Sequence, residues 1–201
     1  MVFMSFVSNL DLKIVKNLEQ FNKLVEAFGK IPGVGKKSAI KYAYYIALQD
    51  PFFGLNLAHT IESSIHSLKH CEICGGISQN EICDICADNN RNRATICVVE
   101  SPKDILTIED SNSFDGLYFV FSDVNSIANL KDMIAKFDSK EIIFAFSPSI
   151  NSDGVILYIE DQLKDIGISF TKIAQGIPTG VSLENVDMLS LTKAIKDRRE
   201  I

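Results

Sequence analysis

The sequence predicts an α/β protein, α+β overall, in four parts: a helical front, a small four-cysteine zinc module, a parallel-sheet α/β domain and a C-terminal extension. Three observations carry this. Apolar residues recur at helical spacing up to about residue 68, two Cys-x-x-Cys pairs follow directly, and after Arg93 short β-branched or aromatic runs alternate with helical ones. With 201 residues, 46% of them hydrophobic, the chain can bury roughly two thirds of its unfolded surface and fold unaided. The expected divisions are 1–55 for the N-terminal helices, 56–93 for a linking helix and the cysteine module, 94–175 for the α/β domain and 176–201 for the C-terminal region.

In chain order, the first residues lack a basic segment ahead of their apolar stretch, and Asn9 and Asp11 interrupt it, so neither a signal peptide nor a membrane span is expected and the protein is expected to be cytoplasmic. Ile14, Val15, Leu18, Phe21, Leu24, Val25 and Phe28 form one helical stripe, with Gly29 as its left-handed cap and Pro32 beyond. A second helix is expected over 36–48. Asp50 and Pro51 break the chain, and Leu57, Ile61, Ile65 and Leu68 mark a third. Strands are expected at 94–100, 116–121, 141–147 and 168–174, with helices at 103–109, 127–137 and 154–166 between them. That alternation implies a parallel sheet covered on both faces.

Cys71-Glu72-Ile73-Cys74 and Cys83-Asp84-Ile85-Cys86 place two thiolate pairs where one tetrahedral zinc ion takes all four. Gly75 and Gly76 suit the tight turn of a knuckle. An ion saturated by four protein ligands has no open position, so the expected Zn2+ is structural, one per chain. Disulfides or a redox Cys-x-x-Cys fit a reducing cytosol less well. Cys97, inside an apolar run, reads as a small buried hydrophobe. His70 adjoins Cys71, but four cysteines already complete the site; His59 and His66 have no ligand pattern around them.

Ile31-Pro32-Gly33-Val34-Gly35-Lys36-Lys37-Ser38 is a glycine turn that opens a helix, where backbone amides can face a phosphate. Lys37 and Lys41, four apart, share one helix face, with Lys36 and Lys30 nearby. A nucleotide-binding P-loop is excluded, because Lys30 stands where its first glycine belongs and Lys37 where its Ser or Thr belongs. A plain packing element with a solvated lysine face stays open on this segment alone.

Taken in order, the Pro32-Gly33-Val34-Gly35 turn, the four cysteines, the run from Ile96 through Glu100-Ser101-Pro102-Lys103-Asp104, and Gly176-Ile177-Pro178-Thr179-Gly180 resemble the RecR family over roughly residues 18–199. The resemblance makes the turn a helix-hairpin-helix, the cysteines a zinc finger and residues 94–174 a Toprim domain. It implies a non-catalytic recombination mediator in DNA repair that forms rings, clamps DNA, and works with RecO-like and, as a further partner, RecF-like proteins to load recombinase on single strands. It carries DNA contact to Gly33, Gly35, Lys36, Lys37 and Lys41. The chain departs from the family pattern in about a dozen extra N-terminal residues and in a short stretch between Phe121 and Ser126, and the acidic residues usual in the family after its Asn-Pro-Thr segment appear here as Asn151 and Asp153.

Toprim enzymes hold magnesium with a strand-end glutamate and a later Asp-x-Asp pair. Glu100 matches the first, but Ser147-Pro148-Ser149 replaces the pair. A hydroxyl is a poor substitute there, so no catalytic residues are expected. Asp153 is either a weak ligand beside Glu100 or the N-cap of the helix near Gly154. Two other readings stand beside the mediator: a divalent-metal Toprim nuclease or primase fragment, and a scaffold that meets DNA only through partners. The formal net charge of −6 favours the scaffold, since DNA contact then needs a local basic surface.

Overall fold

The computed structural model describes residues 17–174, 176–177 and 180–196, apart from the side chain of Ile150, and divides into two compact units, Met1–Ser67 and Leu68–Ile201. In the first, α1 (Glu19–Gly29) packs against α2 (Lys36–Tyr44), with Val25, Ala39 and Ala43 buried between Phe21, Leu24, Phe28 and Val34. The apolar stripe predicts helix from Ile14. Residues 14–16 lie outside the described part, and Asn17 sits at a φ of 87°, which the right-handed helix cannot accommodate, so α1 begins at Glu19.

Gly29 does not serve as a left-handed cap. Lys30 stays right-handed, and the last turn closes through the amides of Lys30 and Ile31 on the carbonyls of Ala27 and Phe28. The left-handed residue is Gly33, at a φ of 82°, third in a turn closed by Val34 N–H donating to Ile31 O at 3.0 Å. Proline second and glycine third is the chemistry of a type II turn.

The second helix reaches Gln49 as expected, but its last turn, Tyr45–Gln49, widens to π geometry, with Asp50 N–H donating to Tyr45 O at 2.8 Å. Asp50 then caps α3 (Pro51–Ser67) by accepting from Phe53 N–H at 2.9 Å, and Pro51 fills the first helical position. The wide turn crosses α3 closely at Gly54: a Cβ there would lie 2.5 Å from Ile46 Cγ2 and 2.7 Å from Ile46 O. Gly54→Ala, worth about 1 kcal/mol of added stability in an open helix, is therefore expected to destabilise the first unit by about 1–3 kcal/mol. A lowered denaturant midpoint at unchanged slope would show it.

The second unit opens with a hairpin, β1 (Lys69–His70) and β2 (Ile77–Ser78), and the short α4 (Asp84–Ala87). The sheet follows: β3 (Asn92–Val99), β4 (Gly116–Val120), β5 (Glu141–Ala145) and β6 (Ser169–Lys172), in the order β4-β3-β5-β6, every pair parallel. The crossovers carry α5 (Pro102–Asp110), α6 (Ser126–Phe137) and α7 (Ile150–Leu163), and a last helix, α8 (Met188–Lys196), follows the sheet.

Alternation along β3 sorts the core. Ile96 and Val98 join Leu117, Phe119, Ile142 and Phe144 under α6 and α7, while Cys97 and Val99 join Tyr118 and Val120 under Ile105 of α5. The covering is unequal: on the α5 side, Ile143 and Ala145 of β5 are only half-buried and Ser169 and Thr171 of β6 are exposed. Helix α7 starts at Ile150 rather than Gly154, and its cap is Ser149, whose hydroxyl accepts from Ser152 N–H while Ser152 reaches back. Asp153 is thus inside the first turn and is not the N-cap. Because β3 is flanked by β4 and β5, the strand order reverses beside it, and Glu100 and Ser147 sit at the carboxyl ends of the strands that meet there.

Candidate zinc centre and nucleic-acid interface

The four cysteines predicted as ligands come together. The sulfurs of Cys71, Cys74, Cys83 and Cys86 all lie within 4.8 Å of one another, all four residues are buried, and none forms a disulfide. A tetrahedral centre with Zn–S bonds of about 2.3 Å separates its sulfurs by roughly 3.8 Å, and Cys74 and Cys83 stand 3.6 Å apart. Backbone amides already aim at the sulfurs: Gly76 N–H donates to Cys74, Cys83 N–H to Cys71 and Cys86 N–H to Cys83, at 3.3, 3.3 and 3.5 Å. Such donors favour thiolates. Four thiols this close resist joint ionisation. The hydrogen bond between Cys74 and Cys83 raises the pKa of Cys74 and holds that of Cys83 well below the usual range, while Cys86, facing both, is pushed far up. A dication is what lets all four ionise together, so the donor set fits zinc. What it supplies is structural order.

The first knuckle turns at Gly75, φ 73°, whose amide donates to Cys71 O, while Cys71 N–H donates to Gly76 O. His70 is not among the clustered ligands; its Nδ1 lies 3.0 Å from Gly75 O, outside the sulfur cage. The module is fastened to the sheet. Val120 N–H donates to Cys74 O at 2.8 Å, and Ile73 and Ile85 pack both on the cysteines and on the two sheet cores.

Sequence reasoning missed one supporting cluster. Glu109 Oε1 of α5 accepts from Arg91, just before β3, and from the hydroxyl of Tyr118 on β4 at 2.6 Å. Burial, with the Glu109 bond second, pushes the Tyr118 phenol far up, so it stays a donor. These residues are separated by 9 and 18 positions and share no spacing rule that could have revealed them.

Cys97 is buried, and burial pushes its thiol up from 9.0 to about 12. Since only the unfolded chain ionises it readily, its neutral form supports folding fully below pH 9.0 and progressively less as the pH rises toward about 12. In native protein at pH 8, Cys97 is expected to resist a disulfide-exchange reagent for hours. Denaturation with chelator should then expose all 5 thiols.

In the first unit, Gly35 is the N-cap of α2, with extended backbone and no capping side chain, and a Cβ at either Gly33 or Gly35 would meet nothing within 4 Å. The amides of Lys36, Lys37 and Ser38 donate to no acceptor among the described residues. Lys36, Lys37 and Lys41 are exposed on the same helix, and none is in an ion pair among the described residues. Lys30 differs, being paired with Glu26 at 3.3 Å. In the sheet unit, Glu100 accepts from Ser147 N–H at 3.0 Å, and Asp153 is bonded by Lys172 at 2.7 Å, which holds its carboxyl below the usual range.

Comparison with known proteins follows this geometry part by part. Residues 21–65 match the family described as RecR, helix-hairpin-helix; residues 68–88 match the RecR four-cysteine zinc finger domain; residues 94–174 match Toprim domain. Recombination protein RecR of Campylobacter jejuni subsp. jejuni serotype O:23/36 is 51% identical over 190 residues, covering 94% of this chain and 100% of that protein. The chain belongs to the RecR family. RecR proteins of a Nitratiruptor species and of Helicobacter pylori are 53% and 42% identical, over 92% and 90% of this chain and 98% and 95% of theirs. RecR membership makes the four buried sulfurs a zinc-finger site and the parallel sheet a Toprim domain. Among the described residues, no helix is long and apolar enough to cross a membrane.

Proposed function

We propose that the chain is a non-catalytic, DNA-binding recombination mediator in recombinational DNA repair, which binds gaps or single/double-strand junctions and acts with a RecO-like protein and, as a further partner, a RecF-like one to load recombinase on single-stranded DNA. The observation that carries this is the exposed hairpin, where open amides after Gly33 and Gly35 adjoin Lys36, Lys37 and Lys41 on one helix. The name that its relatives carry, Recombination protein RecR, supports the process. Work of this kind places the protein in the cytoplasm, at the nucleoid during repair.

The absence of catalysis rests on what surrounds the Toprim carboxylates. Lys172 occupies Asp153, a backbone amide occupies Glu100, and serines stand where further carboxylates would complete a magnesium site. Oligomer formation, including a ring, is supported by α3, which buries none of its 17 residues and leaves Phe52, Leu55 and Ile65 over 70% exposed. On this reading residues 1–55 hold DNA, 56–93 link and brace, 94–175 meet partner proteins and 176–201 complete the assembly.

Labelled gapped DNA titrated across a salt series, with and without magnesium, tests the proposal. Salt-sensitive binding of intact DNA is the expected result. Magnesium-dependent cutting would replace it with the nuclease reading, and no binding at low salt with the partner-dependent scaffold that the net charge of −6 favours.

A further inference from the structure

We propose that the cleft between the zinc module and α5 receives one phenylalanine- or leucine-sized side chain from a basic segment of a partner protein. The cleft has a volume of about 160 Å³ and is walled by Gly76, Ile77, Ile85, Pro102, Ile105 and Leu106, and it also touches Cys74 and Cys83 of the zinc site, Asp84 and Tyr118. An engineered apolar cavity of about 150 Å³ binds benzene, so the space matches a single ring or branched aliphatic group. Its rim is apolar and open to solvent: Leu106 is 53% exposed and Ile77 46%. Leu106 is not used by the sheet core, where its neighbour Ile105 supplies the apolar anchor of α5.

Charge around the cleft selects the partner. The module, residues 68–88, contains Glu72, Glu81, Asp84 and Asp88 against a single lysine, Lys69, and no arginine. All four carboxylates belong to exposed residues, none is in an ion pair among the described residues, and Asp84 itself lines the cleft. Zinc on four thiolates adds further negative charge. Helix α5 contributes one cation, Lys103, against Asp104, Glu109 and Asp110, of which Glu109 is paired with Arg91. Such a face repels nucleic acid and attracts lysine- and arginine-rich polypeptide, which fixes orientation and speeds encounter while the apolar anchor supplies affinity. The cleft belongs to the second unit and the lysine-bearing hairpin to the first, and the proposal does not depend on the DNA-binding reading.

The test uses the full-length, zinc-loaded chain with labelled isoleucine methyl groups and a synthetic lysine-rich nonapeptide carrying a central phenylalanine. Saturable shifts are expected at Ile77, Ile85 and Ile105. Replacing the peptide's phenylalanine with alanine should weaken binding about tenfold. Leu106→Asp, at an exposed position, should abolish the shifts at unchanged zinc content, and Glu72→Lys with Glu81→Lys should weaken them about two- to fivefold. Equal binding of the phenylalanine and alanine peptides, or indifference to Leu106→Asp, would overturn the proposal. So would shifts of the same methyls on dilution alone, which would assign the cleft to a second copy, or on addition of a DNA oligonucleotide.

Discussion

Replacing Cys83 with serine is expected to empty the zinc site and to lower the melting temperature of the sheet-containing unit by about 10 °C. Structural zinc in isolated finger peptides contributes about 10–16 kcal/mol in apparent terms, much of which orders the module itself. The part transmitted to the sheet passes through named contacts: the Val120 to Cys74 hydrogen bond and the burial of Ile73 and Ile85 against the two cores. One hydrogen bond at about 1 kcal/mol and two half-buried isoleucines at about 1–1.5 kcal/mol each make roughly 3–4 kcal/mol. At about 2–4 °C per kcal/mol for a protein of this size, the shift is about 6–16 °C. Three readouts decide it: zinc content near zero, a shifted calorimetric transition, and faster exchange of the Val120 amide. An unchanged Val120 amide would show that the sheet holds its edge without the module. The sign with pH is also fixed. Zinc holds the thiols ionised far below their ordinary range, so its support is full at and above that range and drains away as acid protonates the ligands.

The parts legible in the sequence are those set by local periodicity. Two residues between cysteines put both sulfurs on one knuckle, and the structure closes all four within 4.8 Å. Runs such as Ile96-Cys97-Val98-Val99 announce a strand buried on both sides, and both faces of β3 are filled. Departures fall at element ends, where side-chain hydrogen bonds decide. Ser149 and Ser152 cap α7 reciprocally and start it four residues before Gly154. Gly29 has the look of a helix cap, but the turn that reverses the chain needs its left-handed residue two positions after Ile31, at Gly33.

Contacts between distant segments leave no mark in the sequence. Asp153 reads there as a helix cap or a weak metal ligand, and neither reading includes Lys172, 19 residues later, whose ammonium lies on it. The Arg91, Glu109 and Tyr118 cluster is of the same kind. The π turn at Tyr45–Gln49 is subtler: apolar spacing continues through it, and it is the bond from Asp50 N–H to Tyr45 O, five residues back, that shows the backbone has widened. The lysine hairpin lies between these extremes. Its residues are legible in the sequence, and the structure adds that Lys36, Lys37 and Lys41 have no ion-pair partner among the described residues, where Lys30 is neutralised by Glu26.

That difference gives the charge-reversal experiment its expected size. Lys37→Glu with Lys41→Glu should weaken binding to gapped DNA about 100-fold near 0.1 M salt, through two lost phosphate contacts and two new repulsions at about 1.4 kcal/mol per position. The slope of log affinity against log salt should become shallower by about 2, since each contact releases close to one counterion. Both side chains are exposed, so folding and zinc content should be untouched. Lys37→Gln with Lys41→Gln should fall between, near tenfold, because it removes attraction without adding repulsion. Lys30→Glu, where the wild-type charge is already met by Glu26, should have a smaller effect than reversal at either of the other two positions. A uniform response to all three reversals would mean that DNA senses only overall charge. No response at Lys37 and Lys41 would move DNA contact to the partner proteins.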